Sequence, residues 1–152
     1  MFIIFTKNNS LGSKLIRWVT GEPVSHVALW FPKIGFIYHS TAAHGTAFTP
    51  DKKFFRTSTV IYSTFIKLEN LSFISDTYGK PYDFFALLYL GFKIVLKRLG
   101  WGDVGENVWN SSGMFICTEL ITKLVEGEAD ALITPYQFYL KLLGNSDVDS
   151  DP

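Results

Sequence analysis

The sequence predicts a single α+β domain, an antiparallel sheet with helices packed against it, and three observations carry that reading. Short apolar runs bounded by turn residues mark strands at residues 2–5, 25–31 and 36–40, the last two joined by Pro32-Lys33-Ile34-Gly35 as a hairpin. Apolar residues recur at helical spacing at 11–20, from Tyr82 to about Arg98, and through Ile116, Leu120 and Leu124. At 152 residues with 47% apolar side chains, the chain suffices for one core that covers about two-thirds of its unfolded surface.

Taken in order, the apolar run 2–5 reads as a first strand, since it lacks a basic leader and is too short for a signal peptide. Residues 11–20 place Leu11, Leu15, Trp18 and Val19 on one face of a short amphipathic helix ended by Gly21 and Pro23. The run 25–31 is nearly all apolar, which predicts a strand covered on both faces. If the hairpin closes with Phe31 opposite Phe36, Ala28 faces His39, and His26 lies diagonal to His39 on the same face, about 7–8 Å away. A one-residue slip would separate them. His44 falls in a loop expected over 41–49, beyond the hairpin.

Residues 60–62 and 65–68 read as two further strands, preceded by a connection carrying Lys52, Lys53 and Arg56. A weak helix is expected over 71–78, then a longer one from Tyr82, tightened near Gly91. The longer one is apolar from Phe84 to Phe92, but Lys93, Lys97 and Arg98 break and flank it, too short a stretch to span a membrane. A buried core helix is the expectation; an interfacial helix seated on lipid by those three cations is the alternative. Residues 100–113 form a glycine-rich loop, and Thr134-Pro135 starts a last helix with Thr134 as N-cap. The domain is expected to cover 1–144, with 145–152 an acidic mobile tail.

Fourteen basic and fourteen acidic side chains cancel, so no broad electrostatic grip on nucleic acid is indicated. One cysteine makes no internal disulfide. Without a signal peptide or spanning segment, a cytoplasmic location or a place in a larger assembly is expected.

That cysteine, Cys117, falls where a polar loop gives way to a helix stopped by Gly127, with Glu119 and Lys123 as an i, i+4 pair on the helix's other face. Free N–H groups in a first helical turn favour thiolate, while free cysteine is also among the most buried residue types. A nucleophilic reading needs a base and a group to orient it. Histidines number only three, and His26 and His39 share a sheet face if the hairpin register holds.

Four segments in order, Ser25-His26-Val27-Ala28, Gly79-Lys80-Pro81-Tyr82-Asp83-Phe84, Phe115-Ile116-Cys117-Thr118-Glu119-Leu120 and Thr134-Pro135, carry a resemblance over residues 1 to 142. The chain resembles the circularly permuted NlpC-type proteins of the papain-like superfamily, including the YiiX/YebB-like group and the lecithin retinol acyltransferase-like enzymes. The resemblance implies a permuted papain-like fold, with the cysteine helix against the histidine face of the sheet. It implies Cys117 as nucleophile, His26 as base and His39 as third member, with Glu22 and His44 as fallback candidates. Tyr82 and Asp83 match a packing and turn motif, and Thr118 stands where relatives often carry serine. The activity implied is a cysteine amidase or peptidase, for instance on cell-wall peptide, needing no metal or cofactor. The alternatives are a lipid acyl hydrolase or acyltransferase and a non-catalytic module in a larger assembly.

Overall fold

The computed structural model describes residues 1–67, 72–101, 114–127 and 133–146. Its elements are β1 (Phe2–Asn8), α1 (Leu11–Thr20), β2 (His26–Phe31), β3 (Phe36–Thr41), β4 (Gly45–Pro50), α2 (Asp51–Phe54), β5 (Ser58–Phe65), α3 (Ser72–Thr77), α4 (Phe84–Arg98), α5 (Cys117–Glu126) and α6 (Pro135–Ser146). The five strands form one antiparallel sheet in the order β4-β3-β2-β1-β5. The fold is a mixed α and β architecture.

β2 lies at the centre of the sheet, and its near-continuous apolarity follows from cover on both faces. Val27 and Leu29 join Ile3, Phe5 and Tyr38 beneath Leu120, Ile121 and Leu124 of α5 and Phe138 of α6. Ala28 faces the other way with Ile4 and Ile37, under Phe54 of α2. The hairpin closes with Phe31 opposite Phe36, the register on which the histidine geometry depends.

Several expectations need correction. Residues 45–50, expected as loop, form β4, whose Thr46, Ala47, Phe48 and Thr49 pair with β3 before Pro50 ends the ladder. The two strands expected at 60–62 and 65–68 are one, β5, with a bulge in its pairing opposite Phe5 and Thr6 of β1. Residue 68, residue 71 of the expected weak helix, residues 102–113 of the expected loop and residues 147–152 of the expected tail lie outside the described residues, whereas α6 itself continues past 144 to Ser146. The Thr134 cap forms as expected: its hydroxyl accepts from the Gln137 N–H at 3.2 Å, and the Gln137 side chain accepts from the Thr134 N–H at 3.0 Å.

The long helix expected to be buried in the core is not, and the amphipathic α1 also leaves its apolar face open. In α1 the buried residue is Ser13, whose hydroxyl meets Ser25 at 2.6 Å and accepts from the Asn8 N–H, so the polar side seats the helix. Leu11, Leu15 and Trp18 turn outward. In α4 only Ala86, Tyr89 and Leu90 are buried, and Phe84, Phe85, Leu88, Phe92 and Val95 are exposed. It is a surface helix capped by Asp83, whose buried carboxylate accepts from the Ala86 N–H at 2.7 Å. No helix among the described residues is long and apolar enough to cross a membrane.

Candidate active site

Two histidines come together on the sheet. His26 opens β2 and His39 lies in β3, and with period-two alternation both share the face of Ala28 and Ile37. His26 Nε2 and His39 Nδ1 are 3.0 Å apart, with the rings edge to face. His39 Nε2 meets the Thr49 hydroxyl at 3.0 Å on the neighbouring strand. Phe54 of α2 lies against both rings, 6.2 Å from that of His26 and 5.2 Å from that of His39. His39 is buried, while His26 keeps some surface open. Burial disfavours the imidazolium of each ring and lowers both pKa values, and the repulsion between neighbouring imidazoles adds to it: His39 for His26, and His44 for His39.

The chain of hydrogen bonds has two polarities, and they differ chemically. With Thr49 accepting, His39 carries its proton on Nε2, and its Nδ1 accepts from His26 Nε2–H. His26 Nδ1 then holds the free lone pair that a base requires. With Thr49 donating, every proton shifts one place and His26 Nδ1 is blocked. Thr49 is half-buried, so its hydroxyl can accept from His39 and still donate to water.

The thiol arrives from the other side. Cys117 is the first residue of α5 and is 7% exposed, within the cluster that holds Val27, Leu29 and Tyr38. The expected packing of the cysteine helix on the histidine face is therefore corrected: alternation along β2 puts His26 toward α2 and Val27 toward α5. The thiol sits where β2 and β3 part, since their pairing ends at Leu29 opposite Tyr38 and does not reach Ala28. There the Val27 N–H points at the thiol, joined by the N–H groups of Thr118 and of Cys117 itself. These favour thiolate, but burial outweighs them and pushes the thiol pKa up. Among the described residues no hydrogen bond joins Cys117 to His26. The resting site holds a neutral, covered thiol and neutral imidazoles.

The lead-in to Cys117 is held firmly. The Phe115 carbonyl accepts from the Ser40 hydroxyl at 2.6 Å and from the Asp83 N–H, and the Phe115 N–H donates to the Pro81 carbonyl. Residues 79–83 thus brace the cysteine turn against β4, where the Thr46 N–H donates to the Lys80 carbonyl and the Gly79 N–H to Thr46. Gly45 sits under this crossing with φ +63°, and an added Cβ would lie 2.3 Å from the Lys80 oxygen. Glu119 turns back to accept from the Ile116 N–H, and Lys123 lies over the Phe115 ring, instead of the pair expected between them.

Of the fallback candidates, Glu22 is engaged at the start of α6, and His44 neighbours His39 but makes no hydrogen bond to either ring among the described residues. Glu22 accepts from the Thr134 hydroxyl at 2.6 Å beside the start of α6, and burial raises its pKa. It borders a cavity of about 240 Å³ with Thr20, Ile94, Lys97, Arg98, Thr134 and Gln137. His44 is exposed in the turn before β4. Thr49 and Ser40 were missed from sequence; the alternation of residues 46–49 between Gly45 and Pro50 was the available signal for a third strand beside His39. Among the described residues no group of three or more His, Cys, Asp or Glu side chains is placed to hold a metal.

Comparison with protein-family models, curated proteins and solved structures finds no match.

Proposed function

We propose that this chain is a cysteine-dependent acyl hydrolase, an amidase or peptidase in its leading form, with Cys117 as nucleophile, His26 as base and His39 as the orienting third member. One observation carries this reading: the hydrogen-bonded series His26–His39–Thr49 runs beside Val27, whose N–H meets the thiol. In the proposed reaction His26 Nδ1 takes the thiol proton as sulfur attacks the substrate carbonyl carbon. The proton passes to the departing amine or alkoxide, leaving a thioester on Cys117. Water then attacks the thioester, giving its proton to His26 and releasing the acid; a hydroxyl or amine in place of that water makes the reaction an acyl transfer. The N–H groups around the thiol are candidates for meeting the oxyanion, where loss of one donor costs about 2.7–4 kcal/mol in known enzymes.

A second reading, an acyl hydrolase or acyltransferase acting on lipid, is favoured by the neighbourhood of the nucleophile. Ile116, the residue before Cys117, packs under Ala86 and Leu90 of α4, the helix whose outer face is apolar and open. Incubation with activated acyl esters followed by intact-protein mass spectrometry tests the chemistry. An acyl adduct localised to Cys117, slowed by His26→Ala, supports it; an adduct absent or unaffected by His26→Ala refutes it. Release of amine from peptidoglycan fragments, against release of fatty acid from phospholipid, separates the two substrate classes.

A further inference from the structure

α1 and α4 share an unusual orientation: each is amphipathic or largely apolar, and each turns apolar side chains away from the protein. Leu11, Leu15 and Trp18, spaced four and three residues apart, form one outward stripe, with Leu11 85% and Trp18 76% exposed. Leu88, Phe92 and Val95 form a second along α4, with Leu88 68% exposed. The helices pack on one another, and the Arg98 guanidinium donates to the Trp18 carbonyl at 3.3 Å, so the stripes belong to one surface. Isolated exposed apolar residues need no explanation, but a contiguous patch of this kind marks a docking face.

Charge identifies what docks. The chain as a whole is neutral, yet α1 and α4 contain Lys14, Arg17, Lys93, Lys97 and Arg98 and not one Asp or Glu. A second copy meeting this face through a two-fold axis would set those cations against themselves. An anionic lipid surface answers both features: headgroups meet the cations, the hydrocarbon boundary takes up the stripes, and Trp18 has the amphipathic ring favoured at that boundary. We infer that the α1–α4 face is a docking surface for an anionic membrane, on which the protein lies without crossing it. This holds whether or not Cys117 is a nucleophile, because the stripes stand on exposure and charge alone.

Co-sedimentation of the full chain with phosphatidylglycerol/phosphatidylcholine vesicles tests the inference. The chain should pellet with anionic vesicles, less with pure phosphatidylcholine, and less again as salt rises from 0.05 to 0.5 M, because the Debye length shortens severalfold. Leu88→Asp with Phe92→Asp, both exposed positions, should lower partitioning at least about tenfold while leaving the circular dichroism melt unchanged. Leu15→Ser with Trp18→Ser is the independent pair on α1, and Lys14→Gln with Lys97→Gln should flatten the salt dependence. Three results would each overturn the inference. One is a chain that stays in the supernatant with anionic vesicles. Another is partitioning equal on neutral lipid at every salt concentration. The third is a dimer in sedimentation velocity that Leu88→Asp dissolves, which would assign the face to a second copy.

Discussion

Acid should weaken this fold through its two paired histidines, and the size of the effect follows from their burial. Both rings are held with pKa values below the ordinary 6.5, first by burial and then by repulsion between neighbouring imidazoles, so the folded protein leaves them neutral where the unfolded chain protonates them. A group depressed in this way contributes stability that is fully present above 6.5 and is lost as pH falls toward its folded pKa. In that window the unfolded chain binds more protons than the folded one, which sets the sign. For a histidine that stays neutral in the fold, going from pH 7 to pH 5 costs about 2 kcal/mol. Two such rings cost about 4 kcal/mol at most. Urea unfolding at the two pH values measures this directly, with His26→Asn and His39→Gln as references that carry the same carboxylates. The wild type should lose about 1–2 kcal/mol more than each variant between pH 7 and 5. A wild type that loses no more than the variants, or gains on acidification, would refute the reasoning. A resting thiolate–imidazolium pair would raise the folded pKa of His26 and reverse the slope.

The covered, neutral thiol makes a second expectation: alkylation of Cys117 by iodoacetamide should be slow in native protein at neutral pH and fast in denaturant. Rapid native labelling well below the thiol's ordinary pKa would show an ion pair instead. If Thr49 sets the proton order of the histidine pair, Thr49→Val should lower kcat/KM by about tenfold and shift its acid limb, and Thr49→Ser should restore both. In the same assay Cys117→Ala and His26→Ala should abolish turnover. His39→Ala should leave a residue that His39→Gln partly repairs, and His44→Ala should be close to neutral. Gly45→Ala forces a side chain into a left-handed conformation and against the Lys80 carbonyl, so a loss of at least about 2 kcal/mol is expected in urea unfolding.

Local chemistry determined much of this protein from its sequence alone. Turn residues set the Pro32–Gly35 hairpin, and its register alone placed His26 and His39 on one face, because side-chain direction in a strand has period two. Gly21 and Gly127 ended their helices, and Thr134 capped its own, since these are effects within one turn of chain. Tertiary structure decided everything that depends on what lies opposite. Whether residues 45–50 were loop or strand depended on the free edge of β3, which no window of sequence displays. Periodicity found the apolar stripes of α1 and α4 but not which way they point, because an outward stripe and an inward one have the same spacing. The same ambiguity hid the side from which Cys117 comes. Only the packing of α5 on Val27 and Leu29, with α2 on the opposite face, set the thiol against the parted ends of β2 and β3 and left it covered and neutral.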